Sequence, residues 1–103
     1  NTHEKALKVL AISEVHRVAS SAAVTLQIER LQGTEALDAG DPLLAAGFAL
    51  NGTANTVVRK SGTALTATKT FLVLSQGDRL ALDDSGTPTD LAGLVVTVLV
   101  EEL

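Results

Sequence analysis

Cysteine, tryptophan, tyrosine and methionine are absent from this chain, and its only aromatic residues are Phe48 and Phe71. Without Cys there is no disulfide framework, no thiolate metal site and no thiol nucleophile. Pockets for sugars and small molecules draw on aromatic side chains for contact area. Two Phe, both wanted by a core, leave none for such a pocket, and no cofactor is expected. Basic residues are also sparse: eight Lys and Arg against twelve Asp and Glu give a net charge of −4, and only Arg59 and Lys60 are adjacent. Nucleic-acid binding needs Lys and Arg concentrated enough to displace counterions, so it is not expected. The longest mainly apolar run, residues 91–100, falls short of the roughly 20 residues a membrane-spanning helix takes.

What is present is a chain for one domain, residues 1–103, with residues 1–5 read as a flexible arm. Starting on Asn1 rather than Met is what a processed or trimmed product would show. A hydrophobic fraction of 46% with 19% charged residues excludes intrinsic disorder. Short apolar segments alternate with Gly, Asn, Asp and Ser punctuation, the pattern of strands and turns. Residues 6–17 read as a first strand whose apolar phase shifts: Leu7 and Val9 share one parity, Leu10 and Ile12 the other. A β-bulge or burial on both faces would explain the shift. Residues 23–31 are the clearest strand, Val24, Leu26 and Ile28 alternating with Thr25, Gln27 and Glu29, so one face should be wet. Residues 32–42 form a loop, and residues 43–50 a turn followed by a short strand. Asn51-Gly52 is a strong turn signal because both residues tolerate positive φ.

Further strands are expected over residues 55–60, 63–74, 79–82 and 91–100, with turns at residues 76–78 and 83–86. Seven or eight strands without a long helix point to an all-β fold, an antiparallel β-sandwich of jelly-roll-like character. Its expected core comprises Val24, Leu26, Ile28, Phe48, Phe71, Leu80, Leu82, Val96 and Val98.

Catalytic chemistry finds little purchase. His3 lies in the terminal arm, and His16, beside Arg17, falls on the polar parity of the first strand and reads as solvated. A His base needs a nucleophile and an orienting carboxylate, and no Ser occupies a Gly-x-Ser-x-Gly elbow. The chain therefore does not read as an enzyme. Among the acidic residues, Asp83-Asp84, with Asp90 further on, form the densest group, and Asp38 and Asp41 flank Gly40. None fits the Ca²⁺-loop pattern, so Asp83 and Asp84 read as turn residues bonding their own backbone, with weak Ca²⁺ binding as the lesser alternative.

The apolar excess of residues 91–100 is more informative. Leu94, Val96, Val98 and Val100 can face a sandwich core, and Leu91, Val95 and Leu99 then face the other way. An antiparallel strand in a monomeric sandwich should show water one face. Either the loop of residues 32–42 covers the second face, or another subunit does. In the second case Leu91, Val95 and Leu99 are interface residues.

Several stretches carry a resemblance. They are Ala23-Val24-Thr25-Leu26-Gln27-Ile28-Glu29, Gly33-Thr34, Gly40 with Leu43-Leu44-Ala45-Ala46-Gly47, Asn51-Gly52-Thr53-Ala54-Asn55-Thr56-Val57, Gly77-Asp78-Arg79-Leu80-Ala81-Leu82 and Leu94-Val95-Val96-Thr97-Val98. In this order the chain resembles small tailed-bacteriophage virion proteins, the capsid decoration (cement) proteins and head-fibre domains. The resemblance implies a jelly-roll-like sandwich, a homotrimer bound to the major capsid protein on the outer surface of the phage head, and a role without catalysis. The alternative is a receptor- or glycan-binding jelly-roll module of a phage fibre or bacterial surface protein, for which exposed aromatics would be expected.

Overall fold

The structure, a computed structural model, describes residues 6–103; the arm expected over residues 1–5, with His3, lies outside the described residues. These residues form eight strands: β1 (Leu7–Val15), β2 (Thr25–Leu31), β3 (Asp41–Pro42), β4 (Phe48–Ala49), β5 (Val58–Ser61), β6 (Val73–Leu74), β7 (Arg79–Ser85) and β8 (Val95–Glu102). They build two four-stranded antiparallel sheets packed face to face, an all-β sandwich. In the first sheet β1 is central, with β8 along one side and β5 and β6 in succession along the other. In the second β2 is central, with β7 along one side and β3 and β4 along the other.

The phase shift of the first strand is a bulge. The β1–β8 register slips between Val9 and Ala11, so the inward parity passes from Val9 to Ile12, both buried. The core between the sheets is built from Val9 and Ile12 of β1, Val24, Leu26 and Ile28 on and beside β2, and Leu43, Leu44, Phe48, Leu50, Leu65 and Leu72 from the intervening segments. Burying each such side chain contributes about 1.5–3 kcal/mol. Phe48, at 1% exposure, is among the largest of them.

Three expectations are corrected. Residues 63–74 do not form one strand: two 3₁₀ turns, Gly62–Ala64 and Lys69–Leu72, precede the two-residue β6. Thr-rich composition favours strands, but here Leu65 bridges Leu44 and the Thr66 N–H donates to the Leu43 carbonyl, which draws the segment across the sandwich flank. Phe71 is accordingly half-buried, its ring beneath the Arg30 guanidinium at 5.7 Å. Second, Asp83, Asp84 and Ser85 belong to β7 rather than to a turn. Third, Leu80 and Leu82 are 40% and 48% exposed instead of buried. They lie opposite Arg30 and Ile28 and so point toward the inter-sheet space, but none of the described residues closes that space over them.

The face of β2 expected to be wet is also largely covered. Glu29 is buried, with one carboxylate oxygen accepting the Asp38 N–H at 3.0 Å, and Gln27 is bonded in both directions to the backbone of Leu44. The loop of residues 32–42 therefore folds back on β2, held also by Arg79, which donates to the carbonyls of Gly33 and Glu35. Gly40 permits the close approach, since a Cβ there would meet the Arg30 carbonyl oxygen at 2.6 Å. Arg30 is itself buried; it pairs with Asp41 at 2.6 Å and donates to the carbonyls of Thr70 and Val73, tying the second sheet to the segment that leads into β6.

Candidate functional site

The two long outer strands, β7 and β8, lie on the same side of the sandwich. On the other side the Leu44–Leu65 bridge, the Thr66–Leu43 bond and the Ala45–Ala64 bond join the flank of β3 and β4 to that of β5 and β6. One edge of the sandwich is thus laced shut, and among the described residues the edge between β7 and β8 is open.

That edge is apolar on two aspects. On the inner aspect, Leu80 and Leu82 of β7 are exposed, and Val96, Val98 and Val100 of β8 are only partly buried against the core. On the outer face of β8, Val95 is 54% and Leu99 46% exposed. Between these faces runs the backbone of β8, with no strand beyond it among the described residues. Of the three residues named as interface candidates, Val95 and Leu99 are on this surface, whereas Leu91 packs partly buried against the chain's own core. The loop of residues 32–42 lies on the other sheet, so it does not cover Val95 and Leu99.

The two edges differ in protection. Soluble sheets guard an edge with charges, Pro, bulges or short strands. β7 carries Arg79, Asp83 and Asp84. β8 runs Val-Val-Thr-Val-Leu-Val before its first charge, Glu101, and has no Pro or Lys.

Two polar clusters were not foreseen. His16 is 2% exposed, not solvated. The bulge in β1 is the reason, because it turns Ile12, Glu14 and His16 together toward the interior. Nδ1 of His16 lies 2.6 Å from Oε2 of Glu14, and Nε2 lies 2.9 Å from the Gly52 carbonyl oxygen. That carbonyl can only accept, so Nε2 carries a hydrogen. The His16 pKa is raised, by the Gly52 carbonyl first and the Glu14 carboxyl second, against the opposing effect of burial. Oε1 of Glu14 is buried with no hydrogen-bond partner among the described residues. With both ring nitrogens engaged and no access from solvent, this pair fastens the Asn51-Gly52 turn to β1 and offers no base to a substrate.

The second cluster gathers Glu29, Asp38 and Asp83, whose carboxylate oxygens lie within 4.8 Å of one another. Asp83 therefore meets residues of β2 and the covering loop, not the Asp84 and Asp90 with which the sequence groups it. The Asp38 pKa is raised, chiefly by its hydrogen bond to Asp83. For Asp83 the Asp38 bond acts downward, but the bond to Glu29, burial and the charges of Glu29 and Asp84 together leave it raised. The raised Asp38 and Asp83 carboxyls lie close without full like-charge repulsion, and one ligand oxygen from each of three residues is fewer than the six to eight Ca²⁺ takes. Glu29 gave no signal because its strand parity marks it as solvent-facing.

A shallow cavity of ≈ 220 Å³ opens where β1 passes from β6 to β5, with Val9, Leu65 and Leu72 as its floor and Lys8 and Lys69 among its lining residues. It is smaller than the roughly 300–1,000 Å³ usual for ligand pockets. Among the described residues no helix is long and apolar enough to cross a membrane. No protein-family model, curated protein or solved structure matches this chain.

Proposed function

We propose that this protein is a non-enzymatic structural subunit of a virion, a phage head decoration protein that self-associates and binds the major capsid protein. The observation that carries the reading is the open, apolar β7–β8 edge. A sandwich that laces one edge and leaves valines and leucines wet on the other is built to be completed by another protein surface. A cement subunit needs no reacting groups; it gains from many copies, each burying modest apolar area at about 25 cal/mol per Å² before association costs. The placement on a phage head rests on the resemblance of the sequence segments. A glycan-binding module would call on exposed aromatics, and Phe48 is buried while Phe71 lies under Arg30. The resemblance implies three copies of the chain.

The test is a double substitution, Val95→Asp with Leu99→Asp. Both side chains are exposed in the single chain, so the fold should persist, with circular dichroism unchanged. At a subunit contact on this surface the new carboxylates would be desolvated or set against one another without a basic partner, which opposes association. Light scattering should show the wild type associated and the variant monomeric, and the variant should no longer cosediment with undecorated capsids because its multivalency is lost. A monomeric wild type, or a variant that still associates and still cosediments, would remove the support for this reading.

A further inference from the structure

If the chain self-associates as proposed above, the open edge must be closed by a second copy. We propose that two copies of this chain pair through β8, antiparallel about a two-fold axis at Thr97, with Glu101 of each copy set against Arg17 of the other.

The occupant must supply a strand. β8 is an eight-residue edge with an unguarded backbone between Val95 and Val100, and extended partners add to such an edge through main-chain hydrogen bonds. The charged residues of β7 make it the poorer template. A second β8 is the complementary strand. A two-fold axis perpendicular to the sheet keeps outer faces outer, so only residues of like parity can stand opposite one another.

Charge then selects the register. Centred on Val98, the pairing sets Glu101 of the second copy opposite Val95; centred on Val96, it sets Glu101 opposite Leu91. Centred on Thr97, Val95 faces Leu99, Val96 faces Val98, the two Thr97 side chains meet on the axis, and Glu101 falls opposite Gly93. Thr–Thr and aliphatic cross-strand pairs are favourable neighbours.

Gly93 is where the chain holds a cation. The Arg17 side chain lies against it: a Cβ on Gly93 would meet Cβ of Arg17 at 2.6 Å and Nε at 3.3 Å. Arg17 is exposed, and neither its guanidinium nor the Glu101 carboxylate has an ion-pair partner among the described residues. The Thr97-centred register brings these opposite charges together twice, once at each end of the shared ladder, and opposes no like charges. Electrostatic matching of this kind fixes register and partner choice.

The test uses charge reversal. Eight residue steps along the chain separate Gly93 from Glu101, about 27 Å at about 3.4 Å per residue, so Arg17 and Glu101 cannot meet within one chain. Arg17→Glu alone and Glu101→Arg alone each place like charges at both ends of the ladder. The dimer dissociation constant should rise about tenfold or more for each at low salt, with circular dichroism unchanged. An equimolar mixture of the two variants restores both opposite-charge contacts and should return the mass to about twice the 10.6 kDa of one chain. Thr97→Lys, on an exposed outer-face position, sets two ammonium groups against each other at the axis and should also yield monomer. This gives a second reading if Glu101→Arg, which faces Lys8 across the β1–β8 ladder, fails to fold. A wild-type monomer would overturn both this pairing and the proposed self-association. A wild-type trimer, a dimer indifferent to these variants, or a mixture that stays monomeric would overturn the pairing alone.

Discussion

Phe48→Ala should destabilise the domain by about 3–5 kcal/mol, and thermal melts should fall by roughly 15 °C or more on the usual scale for a domain near 100 residues. Phe48 is 1% exposed and stands beside Leu26 in the β4–β2 ladder, inside the cluster that joins both sheets. Few neighbours can collapse into the gap, because β2 and its flanking strands fix the backbone on either side. The ring also lies 5.4 Å from Nζ of Lys60, a contact from the opposite sheet that disappears with it. The loss is a large share of the roughly 5–15 kcal/mol a domain possesses. Parity assigns that role equally to Phe71, but half-buried under Arg30 it should cost about 1–2 kcal/mol when cut to Ala, within the common range for single substitutions. Equal melting temperatures for the two variants would refute the packing described.

His16→Ala should be comparably severe, about 3–5 kcal/mol, because it strands Glu14 in the interior without a partner. Replacing Glu14 and His16 together by Leu should recover much of that loss, since two apolar groups carry no desolvation cost. The pair also gives wild-type stability a pH dependence. The folded state holds the His16 proton more tightly than the unfolded chain does. Its contribution is therefore fully present below the ordinary His value of about 6.5 and is lost as pH rises through the elevated folded value, so stability falls with pH across that window. Denaturant melts from pH 5.5 upward should show the decline in wild type and a flatter profile in the doubly substituted chain. A wild type that gains stability over the same window would contradict it.

Much of the fold could be read from short-range pattern. Strict alternation marks β2, Asn51-Gly52 marks its turn, the slipped phase at Leu10 marks the bulge, and apolar residues on both parities mark β8 as a strand with two surfaces to cover. The polar interior was not legible for a single physical reason: parity within a strand says which residues share a face, not what will cover that face. Glu29 and Gln27 look wet until a loop is laid over them. His16 looks wet unless the bulge is carried through to its end of the strand, and its carbonyl partner is 36 residues away. Arg30 looks like a surface charge, yet its partners lie up to 43 residues off. The 63–72 segment shows the converse: its β-favouring composition yields to contacts with Leu43 and Leu44. For the candidate site, Val95 and Leu99 follow from the last strand alone. The open inner aspect at Leu80 and Leu82 does not, because it depends on which edge of the sandwich is laced.

The pairing of β1 with β8 has a consequence for how the chain is made. It joins the first strand of the domain to the last, across about eighty intervening residues. On the ribosome the second sheet can assemble around β2 while β1 still lacks its long partner, and the first sheet closes only when β8 emerges. Closure over such a separation is slow compared with local turn formation. The same order has a protective side. An aggregation-prone segment of the domain, Val95 to Val100, emerges after the strand it pairs with, and it meets a waiting β1 before it can meet another nascent chain.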